Sequence, residues 1–159
     1  MGRTIRKVLL TYALTNFTVI LVDLFTKNLA QTYLSKGELT VLPFLHLVLI
    51  YNKGVAFGFL SNAPDFVRLP VLLLTPVLAL VVTFVYSLRA KSSFEVVLMG
   101  MIGGGAMGNL YDRALLGSVR DFIYLSYGPF SWPAFNLADA SISLAVVLFL
   151  AKGLFSGKK

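Results

Sequence analysis

The sequence predicts a membrane protein, mainly α-helical, in which four transmembrane helices carry a small extracytoplasmic β-cradle and a short outer-surface helix. Three observations predict it. Of 159 residues, 57% are hydrophobic and only 13% charged, with a mean hydropathy of +0.81, whereas a soluble globule of this size needs many more charged side chains to cover its core. Long apolar runs alternate with basic clusters at their ends. After the first run lies a stretch of short β-branched and aromatic segments, punctuated by Pro43 and by Asn52-Lys53-Gly54, each too short to cross a bilayer as a helix.

The chain reads as one integral membrane domain, residues 1–159. A span needs about 20 residues, and the first is expected over 8–30. Its basic start resembles a secretory signal, but no small-x-small cleavage site precedes Asp23, so a retained anchor is expected. Asp23 and Lys27 are i,i+4 neighbours with the acid first, the favourable order for a helical ion pair. Because an isolated charge at mid-membrane costs roughly 2.5–3.5 kcal/mol, the two are read as a structural clasp near the membrane edge. Residues 38–60 are the expected β-cradle on the outer leaflet, with Phe44, Tyr51, Phe57 and Phe59 at headgroup level. Residues 62–69 are the expected outer helix, with Asn62 as its N-cap and Pro64 in its first turn. The second span covers 70–88, and Pro76 is expected to kink it. The third, 96–111, carries Gly100, Gly104 and Gly108 at i, i+4, i+8, a bare face open to a neighbouring helix or an extended peptide. Gly103, Gly105 and Gly108 also match a dinucleotide fingerprint, but the surrounding apolar helix is the wrong context for one. The last span, 137–155, starts at a good N-cap, Asn136, and puts Asp139 at the acid position of a capping box.

Charge and composition exclude several function classes. There is no cysteine, hence no disulfide, thiolate metal site or thiol nucleophile, and the single histidine, His46, is too little for a zinc site or a serine triad. The net charge of +7 does not signal nucleic acid, because the basic residues sit mostly at span ends, with Lys36, Lys53, Arg68, Arg113 and Arg120 spread over outer segments beside acids. Arg3, Arg6, Lys7, Arg89, Lys91, Lys152, Lys158 and Lys159 share one side of a four-span chain, and the positive-inside rule makes that side, with both termini, cytoplasmic.

The remaining polar residues gather at the other edge. Asn109 lies within the third helix, where an unpaired amide is costly, so it must bond to another span or a ligand. Asp112 and Arg113 are expected at the outer surface, with Arg113 either snorkelling or binding substrate oxygens. Alternation along 119–123 puts Val119, Asp121 and Ile123 on one inward face. A loop containing Pro129 and Pro133 can close Asp121 against Asp139. Two carboxylates brought together cannot both ionise cheaply, so one keeps a proton and the other is a base. That is the chemistry of an aspartic protease, with Asp139, near the positive end of a helix, mainly the base and Asp121 mainly the acid. A small proton- or ion-coupled transporter using Asp23, Asp121 and Asp139, or a non-catalytic scaffold using the glycine face, are the rival expectations.

Asp23-x-x-x-Lys27, Asn52-x-Gly54-x-Ala56-Phe57, Gly104-Gly105-Ala106-x-Gly108-Asn109-Leu110-x-Asp112-Arg113, Val119-x-Asp121-Phe122-Ile123 and Phe135-Asn136-x-Ala138-Asp139 together resemble the ordered motifs of the lipoprotein signal peptidases (signal peptidase II) over nearly the whole chain. Arg120 is a minor departure. The resemblance implies a bacterial inner-membrane aspartic endopeptidase that removes the signal peptide of diacylglyceryl-modified prolipoproteins, cutting just before the lipidated Cys. It implies Asp121 and Asp139 as the catalytic pair, with Asn52, Gly54, Asn109, Arg113, Asn136 and Ala138 lining the substrate site. Asp23, Lys27, Gly105 and Gly108 support it. No cofactor or metal is implied; the partners are the prolipoprotein, membrane lipid and the inhibitor globomycin, and a monomer is expected.

Overall fold

A computed structural model describes residues 4–54, 60 and 63–156. The elements in chain order are α1 (Ile5–Leu34), β1 (Leu39–Leu42), β2 (Leu45–Asn52), α2 (Asp65–Arg89), α3 (Ser93–Leu116), β3 (Val119–Tyr127), β4 (Phe130–Phe135) and α4 (Leu137–Ser156). Among the described residues, α1, α2 and the Leu137–Leu154 part of α4 are long and apolar enough to cross a membrane, with mean hydropathies of 1.8, 2.4 and 1.8. The fourth helix, α3, is the inner one and packs against the other three.

Glycine is what lets α3 sit there. A Cβ on Gly104 would stand 2.7 Å from the Asn16 carbonyl of α1, and one on Gly105 would stand 2.6 Å from the Ala138 carbonyl of α4. Both are closer than real side chains come, so the helices approach at backbone distance. The bare face is therefore filled by α1 and α4 and offers no bed for an extended peptide. Across α1 and α2, the Tyr12 hydroxyl meets Thr83 Oγ1 at 2.9 Å and donates to the Leu80 carbonyl at 3.2 Å, polar links that replace the missing hydrophobic drive between helices in lipid.

The expected outer helix over 62–69 is not a separate element. Helix α2 starts at Asp65 after Pro64 and continues through Pro70 and Pro76 to Arg89. Asp65 pairs with Arg68 at 2.6 Å across the first turn, an acid where the helix dipole favours one, and the helix continues unbroken despite the two prolines. Asn62 lies outside the described residues.

The four strands form one antiparallel sheet in the order β1-β2-β3-β4. Among the described residues of 38–60, β1 and β2 belong to it; positions 55–59, including Ala56, Phe57 and Phe59, lie outside the described residues. The other half is β3 and β4, in the stretch expected to be a closing loop. The two strands join through Gly128-Pro129, with Gly128 at φ 56°, the conformation that a two-residue II′ hairpin requires of its first residue. Pro133 is tolerated because β4 is an edge strand. Pairing of β2 with β3 sets Ile50 opposite Asp121 and Asn52 opposite Val119, so Asn52 and Asp121 share one face.

Candidate active site

Two helix ends and one strand build the site. At the start of α4, the Asp139 N–H donates to Asn136 Oδ1 at 3.0 Å and the Asn136 N–H donates to Asp139 Oδ2 at 3.3 Å, a reciprocal capping box. Asp139 thus caps its helix and faces the site at once. Its other oxygen accepts from Asn109 Nδ2 on α3 at 2.8 Å. On β3, Asp121 Oδ1 accepts from Asn136 Nδ2 at 2.7 Å and Oδ2 accepts from Asn52 Nδ2 at 3.0 Å. Asn136, fully buried, therefore holds both carboxylates, one through its side chain and one through its backbone.

Both acids border one cavity of about 450 Å³, whose polar wall is Asn52, Asn109, Arg113, Asp121 and Asp139 and whose apolar wall includes Val119, Leu125, Trp132, Phe135 and Ile142. Burial pushes the Asp121 carboxyl up to about 6; the hydrogen bond from Asn52 opposes the shift and the charge of Asp139 adds to it. Arg113 donates from Nη2 to the Gly54 carbonyl at 3.1 Å, while its buried Nε has no partner among the described residues. The Gly54 N–H donates in turn to Asn52 Oδ1 at 2.9 Å, so Gly54 acts through its backbone. Asn136 and Ala138, expected on the substrate surface, are fully buried and stand behind the cavity rather than on it.

Beneath the cavity lies a buried ionic network. Asp23 and Lys27 pair at 2.7 Å with no exposed side-chain surface, and Lys27 Nζ also donates to Asn109 Oδ1 at 2.9 Å. Asp23 Oδ1 accepts from the Ala138 N–H at 2.9 Å, one of the free donors at the start of α4. Gly108 faces Asp23 directly. Asp112, one helical turn beyond Gly108, is fully buried. Arg120 holds both its oxygens, at 2.6 Å and 3.0 Å, and reaches Asn28 and Gln31 of α1 at 2.7 and 2.8 Å. The start of β3 is therefore buried on both faces, Asp121 on one and Arg120 on the other. Sequence reasoning missed Asp112, Arg120, Asn28 and Gln31 as a unit; the available signal was a basic residue between Val119 and Asp121 in a segment already assigned an inward face. Among the described residues no group of three or more His, Asp or Glu side chains could hold a metal ion.

Comparison with known proteins agrees with this architecture. The family described as "Signal peptidase (SPase) II" matches residues 15–155. The lipoprotein signal peptidase of Aquifex aeolicus (strain VF5) is 52% identical over 98% of this chain and 93% of its own. That of Sulfurihydrogenibium sp. (strain YO3AOP1) is 43% identical over 96% of each. Two solved structures, each described as a bacterial membrane enzyme determined by the in meso method, superpose with TM-scores of 0.79 and 0.77 at 29% and 28% identity, over 94% and 91% of this chain and 92% of each of theirs. With the match running through all four helices and the sheet, the chain belongs to the signal peptidase II family of membrane peptidases.

Proposed function

We propose that the chain is an aspartic endopeptidase that removes the signal peptide from diacylglyceryl-modified prolipoproteins, cutting immediately before the lipidated Cys. The observation that carries this is the joint suspension of Asp121 and Asp139 on Asn136 at one cavity. Asp139 takes a proton from water as the water oxygen bonds to the scissile carbonyl carbon. Asp121, holding a proton, hydrogen-bonds the carbonyl oxygen as it gains charge. The C–N bond then breaks and the departing nitrogen receives a proton from the pair, which returns to its singly protonated state. Arg113, tethered to Gly54 with a donor to spare, suits a peptide carbonyl. The apolar wall of the cavity suits a signal peptide and acyl chains.

The same proposal includes a bacterial inner-membrane location with four crossings, both termini cytoplasmic and the site near the outer face. It also includes function as a monomer, with membrane lipid around it and globomycin as inhibitor. The test is cleavage of a purified prolipoprotein, with and without its diacylglyceryl group, by wild type and Asp121→Asn. The expected result is a product beginning at the lipidated Cys, little cleavage of the unlipidated form, and a loss on the order of 10³-fold in the variant. Equal cleavage of the unlipidated form would remove the lipid requirement, and a near-wild-type Asp121→Asn would remove the mechanism.

A further inference from the structure

The face of the sheet that carries Asp121 is apolar well beyond the catalytic cavity. Side chains alternate along a strand, so Leu125 and Tyr127 point the same way as Asp121 on β3, and pairing with β4 adds Trp132 opposite Leu125 and Phe130 opposite Tyr127. Leu45 and Leu47 of β2, opposite Leu125 and Ile123, widen this face. The reverse face carries polar groups: Ser126 pairs with Ser131, and Thr40 Oγ1 meets His46 Nδ1 at 3.1 Å. A one-sided antiparallel sheet packs its apolar face on a core, yet here Tyr127 is 74% exposed, Phe130 77% and Trp132 56%. A contiguous exposed apolar patch of this kind marks a binding surface. A second cavity, of about 640 Å³ and bordered by Phe44, Tyr127 and Phe130, shares Leu125 and Trp132 with the catalytic cavity.

We propose that the β3–β4 hairpin is an acyl-chain subsite, along which one chain of the substrate's diacylglyceryl group runs from the catalytic cavity past Leu125 and Trp132 to Tyr127 and Phe130. This rests on the cleavage reaction proposed above. With the cut immediately before the lipidated Cys, the thioether stands within one residue of the scissile bond, about 3.8 Å, so its lipid begins inside the catalytic cavity. The polar wall there belongs to the carboxylates, amides and Arg113, and a hydrocarbon chain must follow the apolar wall instead. Leu125 and Trp132 lead that wall into the second cavity. A strand rises about 3.3 Å per residue, which puts Tyr127 roughly 20 Å along β3 from Asp121, within reach of a long acyl chain and beyond a short one. A bilayer lipid gains nothing by exchanging hydrocarbon for this face, whereas the substrate's chain is held beside it by the peptide being cut.

The test compares two lipidated prolipoproteins that differ only in their acyl groups, palmitoyl in one and butyryl in the other. For Tyr127→Ser/Phe130→Ser, at the exposed tip of the hairpin, the ratio of kcat/KM for the palmitoyl over the butyryl substrate is expected to fall about tenfold from its wild-type value. An unchanged ratio overturns the proposal whatever the absolute rates do, because a merely structural hairpin affects both substrates alike. Should the variant not fold, a photolabel answers the question with the hairpin intact: a prolipoprotein bearing a diazirine near the end of one palmitoyl chain is irradiated on Asp121→Asn. Labelling is expected within 125–132 and is expected to be suppressed by an excess of unmodified palmitoyl prolipoprotein. Labelling confined to the helices overturns the proposal. So does hairpin labelling that this competitor leaves unchanged and that a diazirine phospholipid reproduces, which would make bilayer lipid the occupant. If instead the wild type cuts neither substrate, or Asp121→Asn cuts both at the wild-type rate, it is the peptidase reading or its dyad that fails, and the photolabel still decides where the chain lies.

Discussion

Asp121 is pulled two ways: burial holds its proton on, while amide donors from Asn52 and Asn136 draw it off, and burial wins, with a carboxyl raised to about 6. Raised from its ordinary value, the group is protonated below about pH 6 and ionised above it. If Asp121 is the acid, kcat/KM should therefore fall about tenfold per pH unit above pH 6, measured from initial rates between pH 5 and 9. A profile flat to pH 8 contradicts that role, bearing in mind that the pair titrates as a unit. Behind it, Asp112→Asn should cost about 3–5 kcal/mol of stability, read as a lower melting temperature, because it leaves Arg120 buried without its counter-charge. Asp121 and Asp139 were legible in the sequence because an acid between apolar neighbours, and an acid three residues after an Asn cap, both have simple local explanations. The Asp112 and Arg120 pair was not, because its partners lie on a helix and a strand separated by the turn at Gly117, where no helical spacing applies.

At the scale of elements, α3 is the spine on which the site depends. Gly108→Ala would drive a methyl group into Asp23 and so disturb Lys27 and the Ala138 N–H together. It should cost about 1–3 kcal/mol with a large loss of cleavage, whereas Gly153→Ala, which meets open space, should leave both melting temperature and rate near wild type. Equal behaviour of the two would show that close approach at Gly108 is unimportant. Asn136→Ala should destabilise α4 by about 1 kcal/mol through its lost cap and should also lower cleavage, since Asp121 loses its donor Asn136 Nδ2 while the backbone N–H that holds Asp139 remains. The glycine spacing of α3 was visible in the sequence, but its occupants, α1 and α4, were not, because a bare face states only that something comes near. The β3–β4 hairpin was missed for a different reason: Pro129 and Pro133 read as loop residues until the edge position of β4 makes a missing N–H harmless.

For the whole molecule, composition made the membrane class readable, and the alternation of apolar runs with basic clusters made the helix count readable. What composition could not supply was the join between the two halves of the sheet, since β2 and β3 pair across the entire α2–α3 hairpin. That long-range pairing is what carries Asp121 to Asn52 and to the end of α4. Topology is open to a direct check because the chain has no cysteine. Cysteines introduced singly at Gly37 and Lys158 should label from opposite faces of the membrane, and labelling of both from one face contradicts the four-crossing arrangement. The central claim is that two carboxylates act as a single unit, and the most direct measurement of it is cleavage of a lipidated prolipoprotein by Asp121→Asn, Asp139→Asn and the double variant. Groups that act together lose together, so each single change should remove about as much rate as both, roughly 10³-fold or more; losses that simply multiply, or a single variant within about tenfold of wild type, would contradict it.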